Sequence, residues 1–218
     1  MPTLAMPYGD VPILQASAAM RRVAALAYLL VWSLREHRKA QEFLGAEPVG
    51  QIVFLVDELE SHLHPRWQRA ILPALLDVIE RLNPKAGVQL LATTHSPFVP
   101  LSVETRVDEA QDALWDLDLD GLAVKLTRRP WERRGDAAGW ATSEVFDLES
   151  TRSTEGEALV RALEALYLRS RTPGYVLRAE ELTAMDARLQ AVLPELDPIF
   201  ARWMAFKDQL RGAETTTP

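Results

Sequence analysis

Apolar residues are arranged along the chain in two patterns, and these patterns predict its secondary structure. Across residues 18–38 they return every three or four positions, as on one face of an α-helix, and Ser17 stands where an N-cap belongs. This helix is apolar around most of its circumference, so we expect it in the core. Residues 52–56 form instead a continuous apolar run, mostly β-branched or aromatic. That run predicts a strand buried on both faces, as in a parallel sheet.

A strand–helix–strand unit follows from the same patterning. Pro65 suits the first position of a helix, and an apolar stripe continues from it to about residue 83. Residues 88–94 predict a second buried strand, parallel to the first one and beside it. Residues 113–120 alternate apolar and acidic positions, an Asp-Gly pair follows at 120–121 and residues 122–127 continue as a second strand, which predicts a β-hairpin. The aspartates of that hairpin, Asp116, Asp118 and Asp120, share one face, and we expect that face to be solvated.

The remaining segments complete a prediction of domain organisation. Residues 1–12 carry prolines and a Tyr-Gly-Asp turn, which predict an irregular lead-in. Three amphipathic helices are expected near the C-terminal end, at about 153–171, 179–193 and 196–211. We therefore predict an α/β lobe over residues 1–108, a hairpin and loop extension over 109–150, a helical subdomain over 151–212 and a disordered polar tail over 213–218.

Composition narrows the classes of function. The 218 residues are 48% hydrophobic and 25% charged, as in an ordinary globular protein. The net charge of −7 argues against a surface that binds nucleic acid over its whole extent, although basic residues around Trp131 leave a local patch open. The absence of cysteine excludes disulfides and thiolate metal sites. No apolar run approaches the length of a membrane span and the N-terminus lacks a basic start, so we expect a cytoplasmic protein.

Polar side chains follow both central strands directly. Asp57 and Glu58 come after the first strand, and Thr94 and His95 come at the end of the second one. Because ligands of open α/β sheets bind at the carboxyl ends of strands, we expect these residues to form one site. A carboxylate suits Mg²⁺, and a second carboxylate with a free lone pair can act as general base toward one water.

These residues carry a resemblance to a known family. Residues 53–58, four apolar positions followed by Asp-Glu, resemble the Walker B element of ABC- and SMC-like P-loop ATPases of the RecF/OLD-type group. Residues 60–65 stand in the place of the D-loop of that family, and His95 stands in the place of its switch histidine. Residues 17–21 resemble its signature motif, Ser-x-Gly-x-[Lys/Arg], with Ala19 where the family usually has glycine. The resemblance covers roughly residues 10–100.

The resemblance implies an α/β fold, a partial parallel-sheet P-loop NTPase core half, that binds ATP and Mg²⁺. In that family the roles would be Asp57 holding Mg²⁺, Glu58 polarising the attacking water, His95 contacting the γ-phosphate, Ser61 and Thr94 lying at the nucleotide, and Ser17 acting across a dimer. Such ATPases often serve DNA repair or phage defence. The expected partners are a second copy or a polypeptide bearing a Walker A motif, and an effector nuclease.

A Walker A motif is missing from the 218 residues. The glycines of residues 45–50 have suitable spacing, but Gln51 and Ile52 follow where Lys-[Ser/Thr] is required, and the segment precedes a strand instead of following one. We therefore expect a half-site that is incomplete without a Walker A half. Two alternatives stay open: a non-catalytic ATPase-like interaction module, and a small metal-dependent hydrolase built on His62 and His64.

Overall fold

The computed structural model describes residues 2–47, 49–82, 87–173, 175 and 177–214. The chain divides into two compact units, Met1–Glu149 and Ser150–Pro218. The predicted division at residue 108 falls inside the first unit and stays a prediction. The predicted disordered tail, residues 213–218, overlaps the last helix, which includes residues 213 and 214. Residues 215–218 lie outside the described residues.

The first unit is mixed α/β. Its described elements are β1 (Thr3–Met6), β2 (Gly9–Pro12), α1 (Ala18–Leu44), β3 (Gln51–Val56), α2 (Pro65–Leu82), β4 (Gly87–Ala92), α3 (Phe98–Leu101), β5 (Leu114–Asp120), β6 (Ala123–Arg129) and α4 (Ala137–Ala141). Within the described ranges the strands form three two-stranded sheets. β1 pairs with β2 and β5 with β6 in antiparallel fashion, and β3 pairs with β4 in parallel.

The β3–α2–β4 unit confirms the predicted parallel pair. Gln51 lies opposite Gly87 and Val56 opposite Ala92, so both strands end at the same edge. The expectation that β3 is buried on both faces is wrong. Its residues alternate between half-buried and exposed, and Leu55 is 78% exposed. The described residues therefore cover only one face of a strand whose composition suits burial on two.

Helix α1 is longer and more exposed than predicted. It continues to Leu44 and ends at Gly45, whose φ of 61° supplies the left-handed C-cap. The apolar rhythm fades before this end because the last turns carry Lys, Gln and Glu, which favour helices without burying a face. Leu30 is the buried residue of α1, whereas Tyr28 and Trp32 are exposed. Placement of the whole helix in the core is therefore wrong for the residues described.

The N-terminal segment and the later hairpin also differ from expectation. Residues 3–12 form a short antiparallel hairpin instead of an irregular lead-in, with a turn that ends at Gly9, whose φ is 121°. In the β5–β6 hairpin the two-residue connection is Gly121-Leu122, one position later than the predicted Asp-Gly turn. The solvated aspartate face is only partly as predicted, because Asp116 forms an ion pair with Arg129 at 2.7 Å.

The opposite face of the β5–β6 hairpin is apolar and exposed. Its residues on β5 are Trp115, Leu117 and Leu119. Leu126 and Val124 lie directly across from Leu117 and Leu119 on β6, and both are exposed as well. The hairpin therefore turns its hydrophobic side outward within the described part of the first unit.

The second unit is helical, as predicted. Its described helices are α5 (Thr154–Ser170), α6 (Ala179–Val192) and α7 (Ile199–Glu214). Ser153 caps α5 by accepting a hydrogen bond from Gly156 N at 3.1 Å. The core of this unit consists of Leu159, Leu166, Met185, Leu189, Leu193, Ile199 and Trp203. Among the described residues, no helix in either unit has the length and apolar character required to cross a membrane.

Candidate functional site

The ends of β3 and β4 are joined through Thr93. Its hydroxyl donates to Asp57 Oδ1 at 2.5 Å and accepts from Glu58 N at 2.8 Å. Two backbone bonds flank it, from Thr93 N to Val56 O and from Leu59 N to Thr93 O, both 3.0 Å. Sequence reasoning placed Thr93 inside the strand and missed this role. The signal available in the sequence was a Thr-Thr pair at a strand end, where hydroxyls often replace ladder bonds.

Glu58 has a left-handed backbone, with φ of 45°. Non-glycine residues adopt this region rarely, and such strain gathers at functional sites. Four neighbours hold the conformation. Thr93 binds the Glu58 N–H, and Ser61 N donates to Glu58 O at 2.9 Å. Arg22 Nη2 donates to Glu58 O at 2.5 Å. Leu59, the next residue, is fully buried and anchors the chain.

Arg22 links helix α1 to the end of β3. Besides its bond to Glu58, its Nη2 donates to Asp57 O at 3.1 Å. Arg22 Nε is buried and has no hydrogen-bond partner in the described structure. The guanidinium thus holds the two carbonyls that precede the turn, and it leaves both carboxylates free of ion pairing with it. Sequence reasoning did not single out Arg22, because nothing local marks a contact across 35 residues.

The turn after β3 is bound to the segment after β4 by a second carboxylate. Glu60 Oε2 accepts from Thr94 Oγ1 and Glu60 Oε1 accepts from His95 N, both at 2.6 Å. Ser96 N donates to Thr94 Oγ1 at 3.0 Å, and Ser96 Oγ donates to Gln68 Oε1 at 2.7 Å. The polar residues of the two strand ends and the start of α2 therefore form one connected network.

The predicted catalytic side chains, Glu58 and His95, and the predicted Mg²⁺ ligand, Asp57, face solvent. Asp57, Glu58 and His95 are all exposed. Among the described residues, neither the carboxylate of Glu58 nor the imidazole of His95 has a hydrogen-bond partner. A carboxylate and an imidazole that are unpaired and lie at one edge can meet a water and a phosphate oxygen without first breaking a protein contact.

Asp57 is suited to supply one ligand to a nucleotide-bound Mg²⁺ ion. Thr93 occupies its Oδ1, and its other oxygen has no protein partner in the described structure. One carboxylate is a usual protein contribution to Mg²⁺, whose remaining ligands are phosphate oxygens and waters. The predicted histidine pair does not offer a site of its own. His64 Nδ1 accepts from Arg66 N at 3.3 Å at the start of α2, and no group of three His, Asp or Glu side chains suited to a metal ion is found within the described ranges.

Ser17 and Ser61 both form local hydrogen bonds. The Ser17 hydroxyl accepts from Met20 N at 3.3 Å, which confirms the predicted N-cap of α1. Ser61 donates its N–H to Glu58 O in the turn after β3. The structure thus gathers Asp57, Glu58, Ser61, Thr94 and His95 at one edge, and it places Ser17 at the start of the helix that sends Arg22 to that edge.

The basic cluster around Trp131 is partly engaged in contacts within the fold. Arg134 forms ion pairs with Glu132 and Glu144. Trp131 packs against the buried Trp140 with ring centroids 5.2 Å apart and the ring planes tilted by 48°. These contacts leave fewer cations for a nucleic-acid phosphate than the sequence suggests.

Glu104 organises the loop that carries this cluster. Burial raises the pKa of its carboxyl group, but hydrogen bonds from Arg134 N, the Trp140 indole and Gly135 N outweigh that effect, so the pKa lies below its usual value. The ionised carboxylate thus holds two backbone N–H groups and one indole in place. This arrangement gives the loop a structural explanation that does not require a ligand.

Part of the chain is similar to a known protein family. Residues 8–102 match the family described as "AAA domain, putative AbiEii toxin, Type IV TA system". This match covers just under half of the chain. It spans β2, α1, β3, α2, β4 and α3, so it contains all of the site residues discussed above except those of the Glu104 loop.

Three relatives match over about half of the chain. The Septu protein PtuA of Bacillus thuringiensis is 32% identical over 119 residues, which are 53% of this chain and 25% of the relative. The retron Vc95 probable ATPase of Vibrio cholerae is 29% identical over 120 residues, 55% of this chain and 21% of the relative. Protein ea59 of Escherichia phage lambda is 33% identical over 111 residues, 51% of this chain and 19% of the relative. The chain therefore matches only a quarter or less of the length of each of these proteins.

Proposed function

We propose, on the premise that residues 8–102 are a P-loop AAA-type ATPase region, that this region supplies one half of a site that binds and hydrolyses ATP. The observation that carries the proposal is the shared edge of β3 and β4, where Asp57, Glu58 and His95 are exposed and Thr93 is hydrogen-bonded to Asp57 Oδ1 and to the Glu58 N–H. A membership in AAA-type ATPases implies nucleotide and usually Mg²⁺, and the chemistry of this edge is suited to both.

The roles follow from what each side chain can do. Asp57 contributes one carboxylate oxygen to Mg²⁺, which neutralises phosphate charge when it is bound. Glu58 has a free carboxylate, and it accepts a proton from a water held in line with the γ-phosphate. His95 contacts the γ-phosphate from the neighbouring strand end. Thr93 joins Asp57 and Glu58 to the end of β4, two residues before His95, because its hydroxyl is bonded to Asp57 and to the Glu58 N–H at once.

A Walker A loop from outside these 218 residues completes the site. The chain has no such loop, and the β3–β4 pair has the properties of a sheet fragment. Parallel sheets are normally covered on both faces, yet Val53 and Leu55 on β3 and Leu91 on β4 are exposed. Further strands and a covering element would bury these residues and bring the phosphate-binding loop to the same edge.

We propose a dimer in which Ser17 acts on the nucleotide of the opposite copy. The N-terminus of α1 carries free N–H groups and a partial positive charge, which favour phosphate. Phage defence is the proposed setting in preference to DNA repair. Support comes from the family description, which names a toxin and a TA system, and from relatives named as a Septu protein and a retron ATPase.

Glu58→Gln in an assembly that also carries the Walker A half tests the proposal. Glutamine keeps the size of the side chain and removes the charge that takes the proton, so turnover should fall by about 10²–10⁴ while ATP still binds. The ATP-bound dimer should accumulate. His95→Ala should also slow hydrolysis, but it should weaken the dimer because a γ-phosphate contact is lost. Phosphate release and light scattering at saturating ATP measure both effects.

The matched control is Glu42→Gln, which removes a charge from an exposed position near the end of α1. Its turnover should equal that of the parent. A Glu58→Gln turnover within about threefold of the parent would show that this carboxylate is not the base. If the chain binds the Walker A half but the resulting assembly does not hydrolyse ATP, the non-catalytic interaction module is favoured.

A further inference from the structure

The carboxylate of Glu60 has a use that neither the Walker B nor the switch histidine assignment includes. It is half-buried, and both of its oxygens are bonded to the segment that follows β4. One oxygen accepts from the Thr94 hydroxyl and the other accepts from the backbone N–H of His95, each at 2.6 Å. Hydrogen bonds to an ionised acceptor are short and strong, so this fork is a firm connection between the two strand ends.

The turn that carries Glu60 is itself fixed on both sides. Leu59 is fully buried and Leu63 is 6% exposed, so the residue before Glu60 and the third residue after it are anchored in the core. Leu63 N donates to Glu60 O at 2.9 Å, which closes the turn around it. The carboxylate therefore projects from a rigid base, and its two bonds transmit that rigidity to the neighbouring segment.

His95 depends on this connection for its place. Its imidazole is exposed and has no hydrogen-bond partner within the described ranges, so no side-chain contact orients it. Its backbone N–H is bonded to Glu60 alone. The next residue, Ser96, is buried and bonded to Thr94 Oγ1, the other partner of Glu60. The position of the His95 backbone is thus determined by a side chain 35 residues earlier in the chain.

We propose that Glu60 is a positioning residue for His95, and that it couples the turn after β3 to the γ-phosphate contact. This inference rests on the proposed function, in which His95 meets the γ-phosphate. The coupling runs through a short path: a displacement of the turn at Ser61 moves Glu60, and both of its partners move with it. A contact made by the turn with an opposite subunit would in this way alter the position of His95.

The first test uses the chain itself, with no nucleotide. Glu60→Ala should move the amide proton resonance of His95 upfield in NMR spectra, and its hydrogen exchange should become about tenfold faster, as expected for the loss of one charge-assisted hydrogen bond. Glu60→Gln should keep the resonance near its parent position, because the amide oxygen still accepts from His95 N while the amide N–H₂ donates to the Thr94 hydroxyl. The control Glu42→Ala should leave the resonance unchanged.

Glu60→Asp is a second variant that tests the same contact if the alanine variant does not fold. Its carboxylate is shorter by one methylene and reaches at most one of the two partners. The His95 amide or the Thr94 hydroxyl should then lose its bond, with the corresponding change in exchange. A His95 amide that is unaffected in both the Ala and the Asp variant overturns the proposal.

The second test uses the ATPase completed with its Walker A half. Glu60→Ala should lower kcat by about 10- to 100-fold, the usual effect of removing a side chain that orients a reacting group, with KM for ATP within about threefold of the parent. Glu60→Gln should restore most of kcat, because position and not charge is the function assigned to this group. An equal loss of kcat in the Gln and Ala variants would overturn the positioning role in favour of a chemical one.

The two tests separate this inference from the proposed function. If His95→Ala leaves hydrolysis unchanged while Glu60→Ala still shifts the His95 amide, the γ-phosphate role of His95 is wrong, and the coupling to hydrolysis falls with it. If His95→Ala slows hydrolysis while Glu60→Ala changes neither the amide nor kcat, the proposed function stands and the role of Glu60 is wrong.

Discussion

At the scale of single residues, the carboxylates of this chain fall into two groups. Asp57 and Glu58 are exposed, and they accept few hydrogen bonds or none. Glu104 and Asp197 instead accept several hydrogen bonds from backbone and side-chain donors and have lowered pKa values. A carboxylate that is saturated with donors serves the fold, whereas one that is left unsaturated at a strand end is available for chemistry.

Asp197 allows a prediction about pH. Two hydrogen bonds from Arg152, at 3.1 and 3.3 Å, are the main reason why its pKa lies below the ordinary 3.8, burial opposes them, and Ile199 N adds a third bond at 2.9 Å. Because the folded-state pKa is lower than the unfolded one, this stabilisation is complete above the unfolded value and is lost as pH falls through the folded value. Unfolding by denaturant, followed by tryptophan fluorescence at pH 7 and at about pH 3, should show a smaller acid destabilisation for Asp197→Asn than for the parent. Asp208→Asn, an exposed position on α7, should behave like the parent, and an equal acid effect in both variants would contradict the assignment.

At the scale of elements, several surfaces are apolar and uncovered by the described part of the first unit. Helix α1 exposes Leu29 and Trp32, and β3 exposes Val53 and Leu55. Such a concentration of exposed apolar side chains is larger than isolated surface residues explain, and it marks surfaces that bind other chains or segments. The exposed faces belong to elements that the family match also covers.

We therefore expect the chain to self-associate, or to require a partner, through these faces. Leu29→Lys combined with Trp32→Lys should reduce association in sedimentation experiments, while stability changes little because both positions are exposed; surface substitutions usually stay within about 0.5 kcal/mol. Phe43→Lys, the same kind of change at a 90% exposed position near the end of α1, is the control and should associate like the parent. A parent chain that stays monomeric at high concentration would contradict this prediction.

At the scale of the whole molecule, the proposed function requires more than these 218 residues contain. Its 218 residues include the acidic and histidine strand ends but no phosphate-binding loop. In P-loop ATPases that loop and its lysine hold the β- and γ-phosphates, and Mg²⁺ coordination adds to a nucleotide that is already held. The chain also spans only 19–25% of the length of the relatives described above.

The isolated chain should accordingly bind ATP·Mg²⁺ no better than millimolar, about −4 kcal/mol. Isothermal calorimetry with the parent and with Asp57→Asn measures this directly. The two proteins should differ little, because one carboxylate without a phosphate cradle gives little affinity. Micromolar binding by the parent would mean that the nucleotide is held by residues other than those assigned here, and it would contradict the half-site.

The local pattern of the sequence was enough to place the strand–helix–strand unit and the three C-terminal helices. An apolar run and its following polar residues are read from neighbouring positions, so the strand ends at Asp57 and near His95 could be predicted. The Ser17 cap and the start of α2 at Pro65 are local for the same reason.

Only the tertiary structure decided which of these residues are joined. Arg22, Thr93 and Glu60 each reach a partner 34 to 36 residues away. Those contacts depend on the register of β3 against β4 and on the left-handed backbone of Glu58, which no short window of sequence specifies. The exposure of α1 and β3 also depends on the tertiary structure. An apolar composition indicates that a surface favours burial, but it does not indicate whether other residues of the same chain pack against that surface.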